Sequence, residues 1–288
     1  TNYTEDLFEA IFPDGDEEDF EAVIDQFAAS AKEAETLGFD GVEIHAAHGY
    51  LLSSSLSPRI NSRTDRWGGV LENRARLTVE AVRAVRQNVS PSFIVATKLN
   101  SSDFQKGGFD HEEAAQVARM LEGEGVDFIE ISGGTFESPE AYKHTSKSES
   151  TKAREAYFLD YAATIKAALT IPLMVTGGFR SSEVMNAALA EGKTNLIGMG
   201  RPFIADPTFP KRLLEGTQDA APSVERNLPP AAELPRGAGL NWFCTQLAIL
   251  GQTGAPDLDL PVVKGHQRYL DAIEAATTAH LAARSISV

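Results

Sequence analysis

Phe39-Asp40-Gly41-Val42-Glu43-Ile44-His45 is a β-rich run that closes on a polar residue and leads into Ala46-Ala47-His48-Gly49-Tyr50. Four later runs have the same form, over residues 93–99, 127–133, 172–177 and 195–200. Between them the apolar spacing changes to three and four residues, which predicts helices over 71–89, 111–124, 156–168 and 182–191. A further helix over 17–37 precedes the first run and carries Phe20, Val23, Ile24, Phe27, Ala31 and Ala34 on one face. Strands alternating with helices predict an α/β chain with a parallel sheet and helical crossovers.

Two α/β architectures compete. A doubly wound sheet needs a Gly-rich loop after its first strand, and Ala46-Ala47-His48 is not one. In a barrel, chemistry collects at the C-terminal ends of the strands. His45, His48, Lys98, Asn100, Gly133, Gly134, Gly177, Gly178, Gly200 and Arg201 all stand there. A TIM-type (β/α) barrel is therefore expected. Five of its eight βα units can be counted, and residues 1–16 are too few for three more, so the barrel is expected to lack its first three units. Residues 1–216 form the expected partial barrel domain. Residues 217–288 form the expected C-terminal extension, a Pro- and Ala-rich loop over 217–239 and then helices near 240–250 and 266–283 that pack on the barrel.

Side chains alternate along a strand. If helices cover the outside, Val42 and Ile44 point outward, while Glu43 and His45 point inward. The same parity sends Ile94, Ala96 and Lys98 inward, and then Phe128, Glu130 and Ser132. Three inward ionisable groups are costly unless paired. Glu43, Lys98 and Glu130 are therefore expected to form one buried network.

Composition narrows the partners. Lys and Arg total 26 against 41 Asp and Glu, for a formal net charge of −15. That balance excludes a nucleic-acid binder and an anionic membrane surface, both of which need clustered basic residues. No apolar run reaches the roughly 18 residues of a spanning helix, and the opening residues lack a signal-peptide pattern. With one cysteine, Cys244, neither an intrachain disulfide nor a Cys-based zinc site can form, and a cytoplasmic location is expected.

The segment Gly38-Phe-Asp-Gly-Val-Glu-Ile-His45-Ala-Ala-His48-Gly-Tyr50, followed by Leu56-Ser-Pro-Arg-Ile-Asn61-Ser-Arg63-Thr-Asp65-Arg-Trp-Gly68-Gly69-Val-Leu-Glu72-Asn73-Arg74, resembles the old yellow enzyme family. Lys98-Leu-Asn-Ser-Ser-Asp103, Ile131-Ser-Gly-Gly134, Arg154-Glu-Ala-Tyr157-Phe, Thr176-Gly-Gly-Phe-Arg180 and Gly198-Met-Gly-Arg201-Pro202 are similar to later segments of that family, in the same order. The resemblance runs from about residue 20 to about residue 260. It implies an FMN-dependent NAD(P)H oxidoreductase of the ene-reductase type, reducing activated C=C bonds of α,β-unsaturated carbonyl compounds.

On this resemblance His45 and His48 are the pair that binds the carbonyl oxygen of an enone-like substrate, where two N–H donors stabilise a developing enolate. The bare residues also allow a pair capping the strand end, or a zinc site for which Glu43 is the one nearby third ligand. No metal is expected. Tyr50 matches the proton donor to the substrate α-carbon. Lys98 matches the basic group beside the flavin N1–O2 edge, and Gly177, Gly178, Gly200 and Arg201 match the seat of the FMN phosphate. The 61–74 signature reads as mainly structural, and Arg154 and Tyr157 as a substrate lid.

The resemblance also implies flavin contacts on strands that cannot be assigned here. Weak FMN binding is therefore expected of this chain, with an oligomer or a complementing chain, or its own residues 240–283, covering the open side of the barrel. The same residues admit two other readings, a flavin-free barrel isomerase or cyclase using His45, His48 and Tyr50, and a non-catalytic relative.

Overall fold

The computed structural model describes residues 15–134, 156 and 158–285. They fall into two compact units, Thr1–Phe179 with Met185–Gly198, and Arg180–Val184 with Met199–Val288. Gly216, where the sequence suggests a boundary, lies inside the second unit.

Among the described residues the first unit contains α1 (Glu17–Thr36), and then β1 (Gly41–Ala46), α2 (Leu51–Leu56), α3 (Leu71–Asn88), β2 (Ile94–Asn100), α4 (His111–Gly123) and β3 (Phe128–Ser132). After the undescribed stretch come α5 (Leu159–Ala168), β4 (Leu173–Thr176), α6 (Ser182–Ala190), whose first residues belong to the second unit, and β5 (Leu196–Gly198). All five strands are parallel, in the order β1-β2-β3-β4-β5. A doubly wound sheet reverses direction and buries its first strand in the middle. Here β1 is an edge, and strands follow one another as in the wall of a (β/α) barrel. Among the described residues β1 and β5 each pair on one side only.

Register separates the two faces. Ile44, Val95, Thr97, Leu99, Ile129, Ile131, Leu173 and Val175 are buried, with α1, α3, α4 and α5 against the strands. Val117, Leu121, Ala162 and Ile165 belong to the same core. The other face carries Glu43, His45, Lys98, Asn100, Glu130, Ser132 and Thr176, as strand parity predicts. This inner face is only partly covered: Ile94 and Leu196 are each 43% exposed.

Local chemistry fixes the helices. Asp16 caps α1 by accepting from the Glu18 and Asp19 amides at 2.9 and 3.1 Å, and Asp110 caps α4 by accepting from Glu112 and Glu113. The 61–74 signature ties the loop down. Asn61 Nδ2 donates to the Ser55 and Trp67 carbonyls, both at 2.8 Å, and Trp67 stacks on Phe20 of α1 at 4.4 Å. Buried Arg74 donates to the Leu56 carbonyl and pairs with Glu113.

The second unit contains α7 (Arg201–Ala205), α8 (Phe209–Leu214), two single-turn 3₁₀ segments, α9 (Ala238–Thr253) and α10 (Val262–Ser285). Ala238, Trp242, Phe243 and Val262 form its core. No helix among the described residues is long and apolar enough to cross a membrane.

Candidate active site

The site is assembled at the C-terminal end of β1. His45 is the last inward residue of that strand and lies in register with Lys98 on β2. Three residues later His48 takes φ 64 and Gly49 φ 79, a left-handed turn that swings the chain back over the strand end. The ring centroids of His45 and His48 come to 5.2 Å, edge to face, and Tyr50 lies 4.9 Å from His45. Tyr50 stands at the start of α2, whose Ser54 amide donates to the Tyr50 carbonyl at 2.8 Å. The three candidate proton-handling groups are thus one cluster.

Their electrostatics follow from where they sit. Burial, and then the positive charge of Lys98, hold the His45 imidazole down to about 4. Burial, then His45 and Lys98, do the same to His48. Both rings are neutral at pH 7, so each offers one N–H donor and one acceptor. Nδ1 of His45 is enclosed and has no hydrogen-bond partner among the described residues, which leaves Nε2 as the atom to meet a ligand.

Lys98 forms an ion pair with Glu130, in register on β3, so the expected network exists. Burial alone would raise the Glu130 carboxyl, but the hydrogen bond from Glu43 and the charge of Lys98 outweigh it and keep Glu130 ionised. Crowding by the strands, then the hydrogen bond and charge of Glu130, push Glu43 up to about 8. Glu43 is open to solvent on this face, and its hydrogen bond to Glu130 holds the proton on it. The pair shares one proton beneath Lys98 at neutral pH.

Residues not anticipated as site residues hold the turn. Asn100 accepts from the His48 amide at 3.0 Å, and Ser132 meets His48 Nε2 at 2.7 Å. Asp103, 1% exposed, accepts from Asn100 at 3.2 Å and from the Ser57 hydroxyl at 2.6 Å. Their sequence signal was the inward parity of Asn100 and Ser132 at the ends of β2 and β3.

Gly177 and Gly178 follow β4 with φ 132 and 82, two consecutive backbone positions open to a close-lying group. Gly200 and Arg201 belong to the second unit, at the start of α7. There burial would raise Glu225, but Arg180, which pairs with it, and the charge of Arg201 hold it ionised. A flavin mononucleotide has an electron-rich ring edge and an anionic phosphate, and this chain offers each a matching group. Lys98 is a half-buried cation beside His45, and Gly177–Gly178 is a side-chain-free turn two strands away. Arg154 and Tyr157 lie outside the described residues. Among the described residues no three His, Cys, Asp or Glu side chains gather as a metal site.

Residues 12–220 match the family described as NADH:flavin oxidoreductase / NADH oxidase. The chain is 41% identical over 253 residues to the NADH-dependent flavin oxidoreductase iccE of Talaromyces variabilis, covering 82% of this chain and 61% of that protein. In structure it is similar to a 2-naphthoyl-CoA reductase in complex with 2-naphthoyl-CoA (TM-score 0.63, 34% identity, 69% of this chain and 30% of that one). It is also similar to the old yellow enzyme homologue of Zymomonas mobilis (TM-score 0.58, 25% identity, 73% of this chain and 56% of that one). The chain spans less than two thirds of the length of these relatives. From the ordered sheet, the strand-end cluster and these likenesses together, the chain belongs to the NADH:flavin oxidoreductase family and has part of that family's (β/α) barrel.

Proposed function

We propose that the chain carries the substrate face of an FMN-dependent ene-reductase, which reduces the activated C=C bond of a small α,β-unsaturated carbonyl compound with NADH or NADPH. The observation that carries this reading is the cluster of His45, His48 and Tyr50 at one strand end, beside Lys98. When bound, FMN would supply hydride chemistry at the β-carbon of the substrate, with NADH or NADPH as the reductant. His45 and His48, both neutral, donate N–H to the substrate oxygen and stabilise the negative charge that develops there. Two donors on one oxygen also orient the substrate, which saves the entropy of finding the reactive pose. The Tyr50 hydroxyl delivers the proton to the α-carbon, so that one hydride and one proton saturate the bond. Lys98 would lie at the electron-rich edge of the flavin, and Gly177 and Gly178 would hold its phosphate. FMN, rather than FAD, and the enone class are supported by the sequence resemblance. The names of relatives such as iccE favour NADH.

The test is an absorbance spectrum of the purified protein with mass analysis of its bound small molecules, followed by two variants. His45→Ala should weaken binding of a phenol, a mimic of the enolate oxygen, by about 1.5–3 kcal/mol. Tyr50→Phe should slow enone reduction while leaving flavin reduction by NAD(P)H intact. Colourless protein that isomerises an enone would favour the flavin-free reading, and inert colourless protein the non-catalytic one.

A further inference from the structure

His48 is held at two points by two residues that face each other across adjacent strands. Asn100 of β2 and Ser132 of β3 are register partners. Asn100 Oδ1 takes the His48 backbone N–H at 3.0 Å, and the Ser132 hydroxyl lies 2.7 Å from Nε2 of the His48 ring. The backbone contact matters because His48 is a non-glycine residue with φ 64, a left-handed conformation that L-residues seldom adopt.

The Asn100 amide can point only one way. Its Nδ2 donates to Asp103 Oδ1 at 3.2 Å and to the Gly134 carbonyl at 3.0 Å. Reversing it would set oxygen against a carboxylate and a carbonyl, and NH₂ against the His48 N–H. Asp103 is itself fixed by the Ser57 hydroxyl and by the Phe109 amide at 3.0 Å. Asn100, Asp103 and Ser132 are all buried.

The ring contact has a direction too. Ser132 is 4% exposed, and among the described residues His48 Nε2 is the one partner recorded for its hydroxyl. If the hydroxyl accepted from an Nε2–H, its own buried O–H would have no acceptor, which is the expensive arrangement. Donation satisfies it. We propose that Ser132, set in place by its pairing with Asn100, donates to His48 Nε2 and so fixes the imidazole proton on Nδ1, making Nδ1–H the donor that this histidine presents to the substrate oxygen. The last clause rests on the function proposed above; the tautomer does not. The neutrality of the ring, maintained by burial and Lys98, is consistent with a single proton to place. Asn100 and Ser132 are positioning residues: they act on the substrate through His48.

The experiment is a nitrogen–proton correlation spectrum of the imidazoles in the 288-residue chain, which needs no flavin. His48 is assigned by the loss of its signals in His48→Asn, since Asn tolerates the left-handed turn. The expected result is an Nδ1–H tautomer in the unmodified chain, a shift to Nε2–H in Ser132→Ala, and recovery of Nδ1–H in Ser132→Thr. An Nε2–H ring in the unmodified chain overturns the assignment by itself, so the outcome does not depend on every variant folding. A tautomer unchanged in a folded Ser132→Ala overturns it as well. Phenol affinity should fall roughly tenfold in Ser132→Ala, the equivalent of one hydrogen bond. An Nδ1–H ring that binds no phenol would uphold the tautomer and count against the substrate reading instead.

Discussion

Glu43 and the two histidines respond to pH in opposite directions, and the signs can be separated. The histidines ordinarily titrate near 6.5 but are held to about 4 in the fold. Between those values the unfolded chain takes up protons that the folded chain refuses, so stability falls as pH drops from 6.5 towards 4. The slope is at most about 1.4 kcal/mol per pH unit for each ring. Glu43 is raised from 4.5 to about 8. The folded chain therefore holds a proton that the unfolded chain has released, and that contribution, complete below 4.5, is lost as pH rises towards 8. Urea unfolding should show the unmodified chain losing stability between pH 6.5 and 8, where the histidines are silent. Glu43→Gln should flatten that limb. An equal alkaline slope in both proteins would mean that Glu43 ionises normally and shares no proton with Glu130.

At the scale of elements, pairing between strands carries both stability and site. Lys98→Met leaves Glu130, whose side chain is 5% exposed, without its cation. The expected loss is about 3 kcal/mol, the lower end for a broken buried pair because Lys98 keeps 19% of its side-chain surface. The loss should shrink in acid, once Glu130 can protonate, and a pH-independent loss would point to packing instead. β5 approaches β4 so closely that a Cβ on Gly198 would lie 1.6 Å from Thr176 Oγ1 and 2.8 Å from its Cβ. Gly198→Ala should cost about 1–3 kcal/mol in the same assay, with only partial rescue by Thr176→Ala. The five strands, α1 and α3 to α6 were legible in the sequence because period 2 and period 3.6 differ plainly there. Helix α2, Leu51-Leu-Ser-Ser-Ser-Leu56, was not, since three successive serines carry no helical preference and burial against β1 and α3 decides it. His45, His48, Tyr50 and Lys98 could be singled out by parity and motif. The grip of Asn100 and Ser132 on His48 could not, because it depends on a left-handed turn that no pattern of residues states. Gly200 and Arg201 were grouped with Gly177 and Gly178 by the family resemblance and by their place at successive strand ends, and they belong to a different compact unit.

For the whole molecule, the open sheet is the governing fact. β1 and β5 each leave one side unpaired among the described residues, and rows of free N–H and C=O groups invite pairing with other chains. The inner face adds Ile94 and Leu196, both 43% exposed, near the strand starts, while the candidate site lies at the strand ends. A barrel holds its interior only when strand number and stagger close it. On the proposed reading a flavin would meet Lys98 at its basic end and Gly177–Gly178 at its phosphate end, but a bound ring must also be shielded from water, and a five-stranded wall shields one side. The 288-residue chain on its own is therefore expected to bind FMN weakly and to associate with a second copy or a complementing chain over its open side. Net charge −15 opposes loose aggregation, which favours a defined complex over precipitation. Flavin titration by fluorescence quenching, alongside the mass in solution, tests both halves. Micromolar or weaker binding with a mass above 31.0 kDa is the expected result. A monomer that holds FMN at nanomolar affinity would show that the chain needs no complementing strands to hold the flavin.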